Sequence, residues 1–286
     1  IGSGMMGSGI AYASIMNGLE VLLIDQNIEA AEAGKAKIET LLNESVKRKK
    51  LSEEEKTKLL GNVKTLSSLE KISSSDLVIE AVFEDLELKQ SLYKKIEPYL
   101  KKNAILASNT STLPITKLSE ALQDSNRFIG IHFFSPVEKM NLVEIIKSKQ
   151  SNEKSLAVAL DYVSLLKKTP IVVNDSRGFY ANRCIIPYIN EGLRMLNEGI
   201  EPALIENSAK HIGMPVGPLQ LLDELSVSLA LNVAKETKEA LGNEYEETGT
   251  ESILLEMSQK NRLGRKELAG FYEYDEKGRR LKLWEG

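Results

Sequence analysis

The opening of the chain constrains its fold most strongly, because three glycines there are spaced for a tight turn before a helix. Gly2, Gly4 and Gly7 follow the pattern G-x-G-x-x-G. The residues over 10–16 favour a helix, and Asn17-Gly18 is typical of a helix end. The glycine spacing alone is a weak signal, but a glycine turn that opens a helix is typical of dinucleotide-binding folds.

A strand and an acidic residue complete this pattern. The apolar run over 21–24 predicts a strand covered on both faces, and it ends at Asp25. In dinucleotide-binding folds, an acid at this position accepts hydrogen bonds from the adenosine ribose. Gln26 and Asn27 follow instead of an arginine, so a 2′-phosphate would meet a carboxylate. The residues therefore favour NAD over NADP; a glycine turn without any ligand is the alternative.

Strand-forming and helix-forming segments alternate through the first part of the chain, which predicts a doubly wound, Rossmann-like α/β fold. Further strands are predicted over 76–80, 104–108, 128–131, 142–146 and 170–173, and helices over 83–100, from about 114, and over 154–168. Only helices are predicted beyond them, over 179–196, 202–212, 219–241 and 251–259. We therefore predict a Rossmann-like domain over residues 1–174 and an all-helical C-terminal domain over residues 175–286. The strand expected before the glycine turn is almost entirely missing, so we expect the chain to be a fragment.

A histidine and a glutamate are candidates for acid–base chemistry. His132 is one of only two histidines in 286 residues, and it ends a predicted strand. The link from this strand to the next is too short for a parallel crossover, so the two strands should be antiparallel. His132 and Glu144 are then symmetric about Glu138 and can face each other. A carboxylate beside an imidazole fixes its orientation, favours the imidazolium and makes it a better base. The alternative is a histidine with a structural role only.

The composition argues against several classes of protein. A net charge of −4 and sparse aromatic residues argue against a nucleic-acid-binding surface. Cys184 is the single cysteine, so the sequence predicts neither a disulfide framework nor a thiolate metal cluster. No apolar run approaches the roughly 18 residues of a membrane span. A cytoplasmic location is expected, or an organelle matrix.

A basic cluster over 47–50 lies within long charged helices predicted over 28–61. Such clusters are usually solvated helix faces, and the alternative is a landing site for a phosphorylated substrate handle. Ser52 and Glu55 have the spacing of a capping box, which predicts that a second helix begins there.

Six blocks of sequence together resemble the L-3-hydroxyacyl-CoA dehydrogenase family. They are residues 2–7, 108–111, 127–146, 175–183, 213–218 and 264–272. Residues 183–188 and 283–284 are most similar to the dehydrogenase portion of multifunctional fatty-acid β-oxidation proteins. The resemblance implies NAD-dependent oxidation of an L-3-hydroxyacyl-CoA substrate, by a homodimer or by part of a multifunctional chain. Alternatives are a 3-hydroxybutyryl-CoA or other hydroxy-acid dehydrogenase, and an NAD-binding module without activity.

The resemblance also implies roles for individual residues. His132 would be the catalytic base and Glu144 would pair with it, while Ser111 and Asn182 would hydrogen-bond the reacting oxygen. Arg48, in the basic cluster, would contact coenzyme A. The NAD site would be lined by Gly2, Gly4, Met6, Gly7, Asp25, Val82, Phe83, Glu84, Lys89, Ser111, Ser135 and Lys266. Ser135 departs from the asparagine found in many family members, although relatives with serine exist.

Overall fold

The structure, a computed structural model, describes residues 1–245 and 249–286, and the side chains at 236, 240, 241 and 244 lie outside that description. It divides into two compact units, Ile1–Tyr180 and Ala181–Gly286. Within the described residues, no helix is both long enough and apolar enough to cross a membrane.

The first unit alternates strands and helices along the chain. Its strands are β1 (Val21–Ile24), β2 (Val63–Leu66), β3 (Leu77–Glu80), β4 (Ile105–Ser108), β5 (Phe128–Phe133), β6 (Leu142–Lys147) and β7 (Thr169–Asn174). Its α-helices are α1 (Met5–Ile15), α2 (Ile28–Lys47), α3 (Glu53–Gly61), α4 (Leu86–Ile96), α5 (Ile115–Ser119) and α6 (Glu153–Leu165). The predicted α/β class is confirmed, and so is the capping box of Ser52 and Glu55 at the start of α3.

The strand directions bring the carboxyl ends of β3, β4 and β5 to one edge of the five-stranded sheet. β3, β4 and β5 are parallel neighbours, β6 is antiparallel to β5, and β7 is parallel to β6. β1 and β2 form a separate parallel pair. The first residues bridge the two sheets, because Gly2 N–H donates to the Ile24 carbonyl and Ala81 N–H donates to the Ile1 carbonyl. The glycine turn therefore lies beside the carboxyl ends of β1 and β3.

The central strand β5 is buried along its whole length because both faces of the sheet are covered. Ile129 and Ile131 belong to one apolar cluster, which includes residues of α1 and α6. Phe128 belongs to the other cluster, with residues of α4 such as Tyr93. Successive side chains of a strand point to opposite faces, so a strand covered on both sides is mainly apolar. His132 is the polar exception in β5.

The first unit includes the segment that follows β7. Asp175 accepts hydrogen bonds of 2.7 Å from the backbone N–H groups of Ile115 and Thr116, at the start of α5. Phe179 is buried in the apolar cluster that contains Phe128. These contacts extend the compact unit to Tyr180, whereas the sequence predicts a domain boundary after residue 174.

The second unit is mainly helical, as predicted. Its described helices are α7 (Ala181–Asn197), α8 (Pro202–His211), α9 (Pro218–Leu225), α10 (Val227–Leu241) and α11 (Glu251–Gln259). The single helix predicted over 219–241 is wrong, because Ser226 has a φ of 98° and separates α9 from α10. An antiparallel hairpin of β8 (Tyr272–Tyr274) and β9 (Arg280–Leu283) also follows the helices, in a domain for which the sequence predicts helices only.

A buried carboxylate connects this hairpin to α9. Asp223 accepts hydrogen bonds from the backbone N–H groups of Phe271 and Tyr272, at 2.8 and 2.9 Å, and from the Tyr274 hydroxyl at 3.0 Å. Burial raises the pKa of Asp223 to about 6, although these hydrogen bonds act to lower it. The carboxyl group thus holds the end of the chain against the helices.

Candidate active site

His132 and Glu144 form a buried pair at the centre of the first unit. The β5–β6 ladder places the two residues directly opposite each other, and His132 Nδ1 lies 2.8 Å from Glu144 Oε2. Glu144 is completely buried, and its Oε1 accepts a hydrogen bond of 2.9 Å from Tyr180 N–H. The prediction that the strands are antiparallel and that these residues face each other is confirmed.

This pairing determines which nitrogen of the imidazole can act as a base. The Glu144 carboxylate accepts a hydrogen bond, so the proton of the neutral ring belongs on Nδ1 and the lone pair on Nε2. The rings of Phe134 and Phe179 pack against His132, with centroids 4.5 and 5.9 Å from it. The imidazole is only 6% exposed, which keeps most of the surrounding water away from it.

Ser111 lies in a polar segment after β4 that Glu84 holds in place. Glu84 Oε1 accepts hydrogen bonds from the backbone N–H groups of Ser111 and Thr112, at 2.8 and 3.0 Å. The same oxygen accepts from the Thr110 hydroxyl at 2.5 Å. Burial acts to raise the pKa of Glu84, but Lys89 and these hydrogen bonds outweigh it, so the pKa lies below its usual value. Glu84 is therefore an anion that orders the segment carrying Ser111.

Lys89 is buried behind Glu84. Its Nζ lies 2.7 Å from Glu80 Oε1 and 3.2 Å from Glu84 Oε2, and its side chain is 1% exposed. Glu80 is completely buried at the end of β3. The structure thus places Lys89 among protein carboxylates rather than on the open edge of the sheet.

The residues of the glycine turn fit a dinucleotide. Gly2 has a φ of 91°, and a Cβ on Gly7 would overlap the Gly2 carbonyl oxygen. A Cβ on Gly4 would meet no described atom within 4 Å, so there is open space before the N-terminus of α1. Backbone N–H groups at a helix N-terminus favour a pyrophosphate in such a space.

Asp25 is held in position to meet a ribose. Its Oδ2 accepts hydrogen bonds from Ser3 N–H at 2.7 Å and from the Ser3 hydroxyl at 2.6 Å. Partial burial acts to raise the pKa of Asp25, but the hydrogen bonds from Ser3 and Gln26 outweigh it and lower the pKa. A fixed, partly exposed anion at the end of β1 fits the adenosine hydroxyls of NAD.

The other residues expected at the NAD site differ in their surroundings. Phe83 is 86% exposed, an unusual position for a large aromatic side chain, and Ser135 is exposed on the β5–β6 loop. Met6 and Val82 are partly buried beside the glycine turn and the end of β3. The cofactor contacts of all four remain predictions.

Of three further residues expected at the site, one lies at the end of α2 in the first unit and two belong to the second unit. Arg48 is exposed at the end of α2, 3.4 Å from Glu44. Asn182 is the second residue of α7, and Lys266 is exposed in a short 3₁₀ turn of the second unit. Their contacts with substrate or cofactor also remain predictions.

Several groups that support the site are not predicted by the sequence. Tyr180 donates its backbone N–H to Glu144, and no side-chain pattern in the sequence indicates such a contact. The only sequence signal for Glu80 is its position as a carboxylate at the end of an apolar strand. Lys168 donates to the carbonyls of Val137 and Met140, at 2.6 and 2.7 Å, and so holds the β5–β6 loop. A lysine just before a strand gives no sequence signal for this contact.

The glycine turn and the acid after β1 define a protein of the Rossmann class whose residues fit NAD. Comparison with known families narrows this class. Residues 1–176 match the family model of the 3-hydroxyacyl-CoA dehydrogenase NAD binding domain, and residues 178–274 match that of the 3-hydroxyacyl-CoA dehydrogenase C-terminal domain. The chain belongs to the 3-hydroxyacyl-CoA dehydrogenase family and is an NAD-dependent enzyme of that family.

Solved structures agree with this assignment. (S)-3-hydroxybutyryl-CoA dehydrogenase PaaH1 from Ralstonia eutropha is 36% identical, with a TM-score of 0.88 over 96% of this chain and 97% of that one. FadB2 from M. tuberculosis is 31% identical, with a TM-score of 0.88 and 96% of each chain covered. The dehydrogenase part of multifunctional enzyme 1 from C. elegans is 28% identical, with a TM-score of 0.68 over 100% of this chain and 64% of that one.

Proposed function

We propose that the protein oxidises L-3-hydroxyacyl-CoA to 3-oxoacyl-CoA, with His132 as the general base. The observation that carries the proposal is the buried contact of 2.8 Å between His132 Nδ1 and Glu144 Oε2. It leaves Nε2 of the imidazole as the basic atom. An imidazole can remove a hydroxyl proton near neutral pH, which alcohol oxidation requires.

The remaining residues bind and orient the reactants in this proposal. His132 Nε2 takes the proton of the 3-hydroxyl group, and Glu144 stabilises the imidazolium that forms. Ser111 and Asn182 hydrogen-bond the reacting oxygen and fix its position. NAD, when bound by the glycine turn and Asp25, supplies the acceptor for the hydride that leaves C3. Arg48 and its basic neighbours hold the phosphates of coenzyme A.

The reverse reaction provides a direct test. NADH oxidation with acetoacetyl-CoA should proceed with the wild-type protein and be lost in His132→Gln, whereas NADH affinity should stay unchanged. His211→Gln is the matched control, because His211 is exposed at the end of α8. Wild-type turnover by His132→Gln would rule out His132 as the base. NADH binding without turnover by the wild type would instead support a non-catalytic NAD-binding module.

A second candidate is a preference for the short substrate 3-hydroxybutyryl-CoA. PaaH1, at 36% identity, is a 3-hydroxybutyryl-CoA dehydrogenase and matches almost the whole chain. Measurement of kcat/KM for acyl-CoA substrates of increasing chain length separates the two candidates. A steep fall beyond four carbons would support the short-chain enzyme, and a flat or rising series would contradict it.

We also propose that the protein works in fatty-acid β-oxidation as part of a multifunctional chain. The resemblance of residues 183–188 and 283–284 to the dehydrogenase portion of such proteins supports this, and so does the similarity to the C. elegans enzyme. An antibody against this chain should then detect a native polypeptide much larger than 31.7 kDa. A single band at about that mass would contradict the proposal.

A further inference from the structure

The loop between β5 and β6 packs along one face of α1. Val137, on the loop, is buried, and a Cβ on Gly9 would lie only 2.9 Å from its Cβ. Ser135 Oγ lies 3.9 Å from Sδ of Met5, the first residue of α1. Residues four apart lie on the same face of a helix, so Met5 and Gly9 face the loop together. The loop therefore places Ser135 at the end of α1 that follows the glycine turn.

A half-buried lysine between α6 and β7 bridges two carbonyls of this loop. Lys168 Nζ donates to the Val137 carbonyl at 2.6 Å and to the Met140 carbonyl at 2.7 Å. Hydrogen bonds from a charged donor are roughly twice as strong as neutral ones. Lys168 thus fixes the main chain at Val137, the residue that packs on α1, two positions after Ser135.

Loss of this ammonium would affect the loop more than the strands on either side of it. The two carbonyls would lose their charged donor, and most of the loop is exposed. The loop can therefore move towards water, where both carbonyls regain hydrogen bonds. Such a movement takes Ser135 away from α1, whereas the pairing of β5 with β6 keeps His132 opposite Glu144.

We propose that Lys168 is a positioning residue for NAD, which holds the β5–β6 loop on α1 and so places Ser135 for its cofactor contact. The inference rests on the predicted contact of Ser135 with NAD. It assigns Lys168 to cofactor affinity rather than to the chemical step.

The first test replaces Lys168 with methionine, which removes the ammonium and keeps most of the side chain. The Kd for NADH, measured by fluorescence titration, should rise by about 2- to 13-fold, the effect of losing one neutral hydrogen bond. With saturating NADH and acetoacetyl-CoA, kcat should match the wild type. Lys167→Met is the matched control, since Lys167 is the exposed neighbour. A wild-type Kd in Lys168→Met, with or without a fall in kcat, would overturn the proposal.

The second test asks whether Lys168 acts through Ser135. Ser135→Ala should raise the Kd for NADH over the same range, and Ser135→Ala/Lys168→Met should bind no more weakly than the weaker single variant. Effects that multiply would show that the two residues act independently, which contradicts the proposal.

The same titrations separate two kinds of failure. A wild-type Kd in Ser135→Ala would overturn the inference together with the predicted contact of Ser135. A raised Kd in Ser135→Ala without a rise in Lys168→Met would overturn the inference alone. Because these are binding measurements, they do not depend on whether the protein turns over acetoacetyl-CoA.

The third test measures the loop itself by amide hydrogen exchange. The N–H groups of Lys139 and Met140, which donate to the Pro136 carbonyl at 3.0 and 3.1 Å, should exchange faster in Lys168→Met than in the wild type or Lys167→Met. Lys168→Gln keeps the test valid if Lys168→Met does not fold, because its NH₂ group is uncharged and one atom closer to the main chain. Exchange at the wild-type rate in these variants would refute the role of Lys168 in holding the loop.

Discussion

Replacing Glu144 with glutamine tests whether the carboxylate sets the tautomer of His132. The amide can keep its oxygen towards Tyr180 N–H, as Glu144 Oε1 is now. Its NH₂ group then faces His132 Nδ1, which must accept a hydrogen bond, and the ring proton moves to Nε2. In that arrangement the base has no lone pair for the substrate.

The contacts of Glu144 determine the free-energy cost of the competent arrangement, in which His132 Nδ1 carries the proton and Nε2 keeps its lone pair. Flipping the amide of Glu144→Gln restores an acceptor to His132 Nδ1 but turns the NH₂ group towards Tyr180 N–H. A buried donor without an acceptor costs about 1–3 kcal/mol. The competent arrangement is therefore about 5- to 150-fold less populated. The loss of the negative charge also removes stabilisation of the imidazolium, so the fall in kcat should lie at or beyond the upper end of that range.

The assay is NADH oxidation with acetoacetyl-CoA at saturating concentrations of both reactants. The Kd for NADH, measured separately, should not change. Glu138→Gln is the matched control, because Glu138 is exposed on the loop between the same two strands. Wild-type kcat in Glu144→Gln, or an effect confined to cofactor affinity, would refute the tautomer argument.

Three further predictions concern stability and cofactor binding. The pKa of Asp223 rises from 3.8 to about 6 on folding. The native state therefore holds a proton that the unfolded chain releases, and stability should fall by up to about 3 kcal/mol as the pH rises from 4 to 6. Urea unfolding followed by Trp284, the single tryptophan, checks this; a flat profile would contradict it. Gly7→Ala, whose Cβ would overlap the turn, should raise the Kd for NADH by about tenfold or more, whereas Gly61→Ala, in open space, should not. Asp25→Ser should reduce the preference for NAD over NADP measured by kcat/KM; an unchanged ratio would contradict the role of Asp25.

The parts of the site that depend on short-range geometry could be predicted from sequence. The link between β5 and β6 is too short for a crossover, so strand direction and residue spacing alone bring His132 and Glu144 together. The glycine turn and the acid after β1 are similarly determined by local spacing. The capping box of α3 is a third case, since Ser52 and Glu55 are three residues apart.

The parts that depend on tertiary burial could not be predicted. Nothing in the order of residues shows that Lys89 is buried, because a lysine on a helix usually faces solvent. Ser226 interrupts a run of good helix formers through its backbone conformation, which its residue type does not signal. The strand Arg280–Leu283 is short and largely exposed, so it lacks the apolar alternation that identifies longer strands.

The β5–β6 hairpin holds His132 and Glu144 in its ladder and carries Ser135 in its loop. His132 faces Glu144 because four residue pairs, from Gly130 with Ile146 to Phe133 with Val143, set the register. The loop between the strands is tied to this stem at two apolar positions, because Phe134 packs against His132 and Val137 is buried in the core. Exposed loop positions such as Ser135 can therefore be substituted to change the predicted cofactor contact while His132 and Glu144 stay in place. For protein engineering, the hairpin provides a fixed stem and a few adjustable positions at its tip.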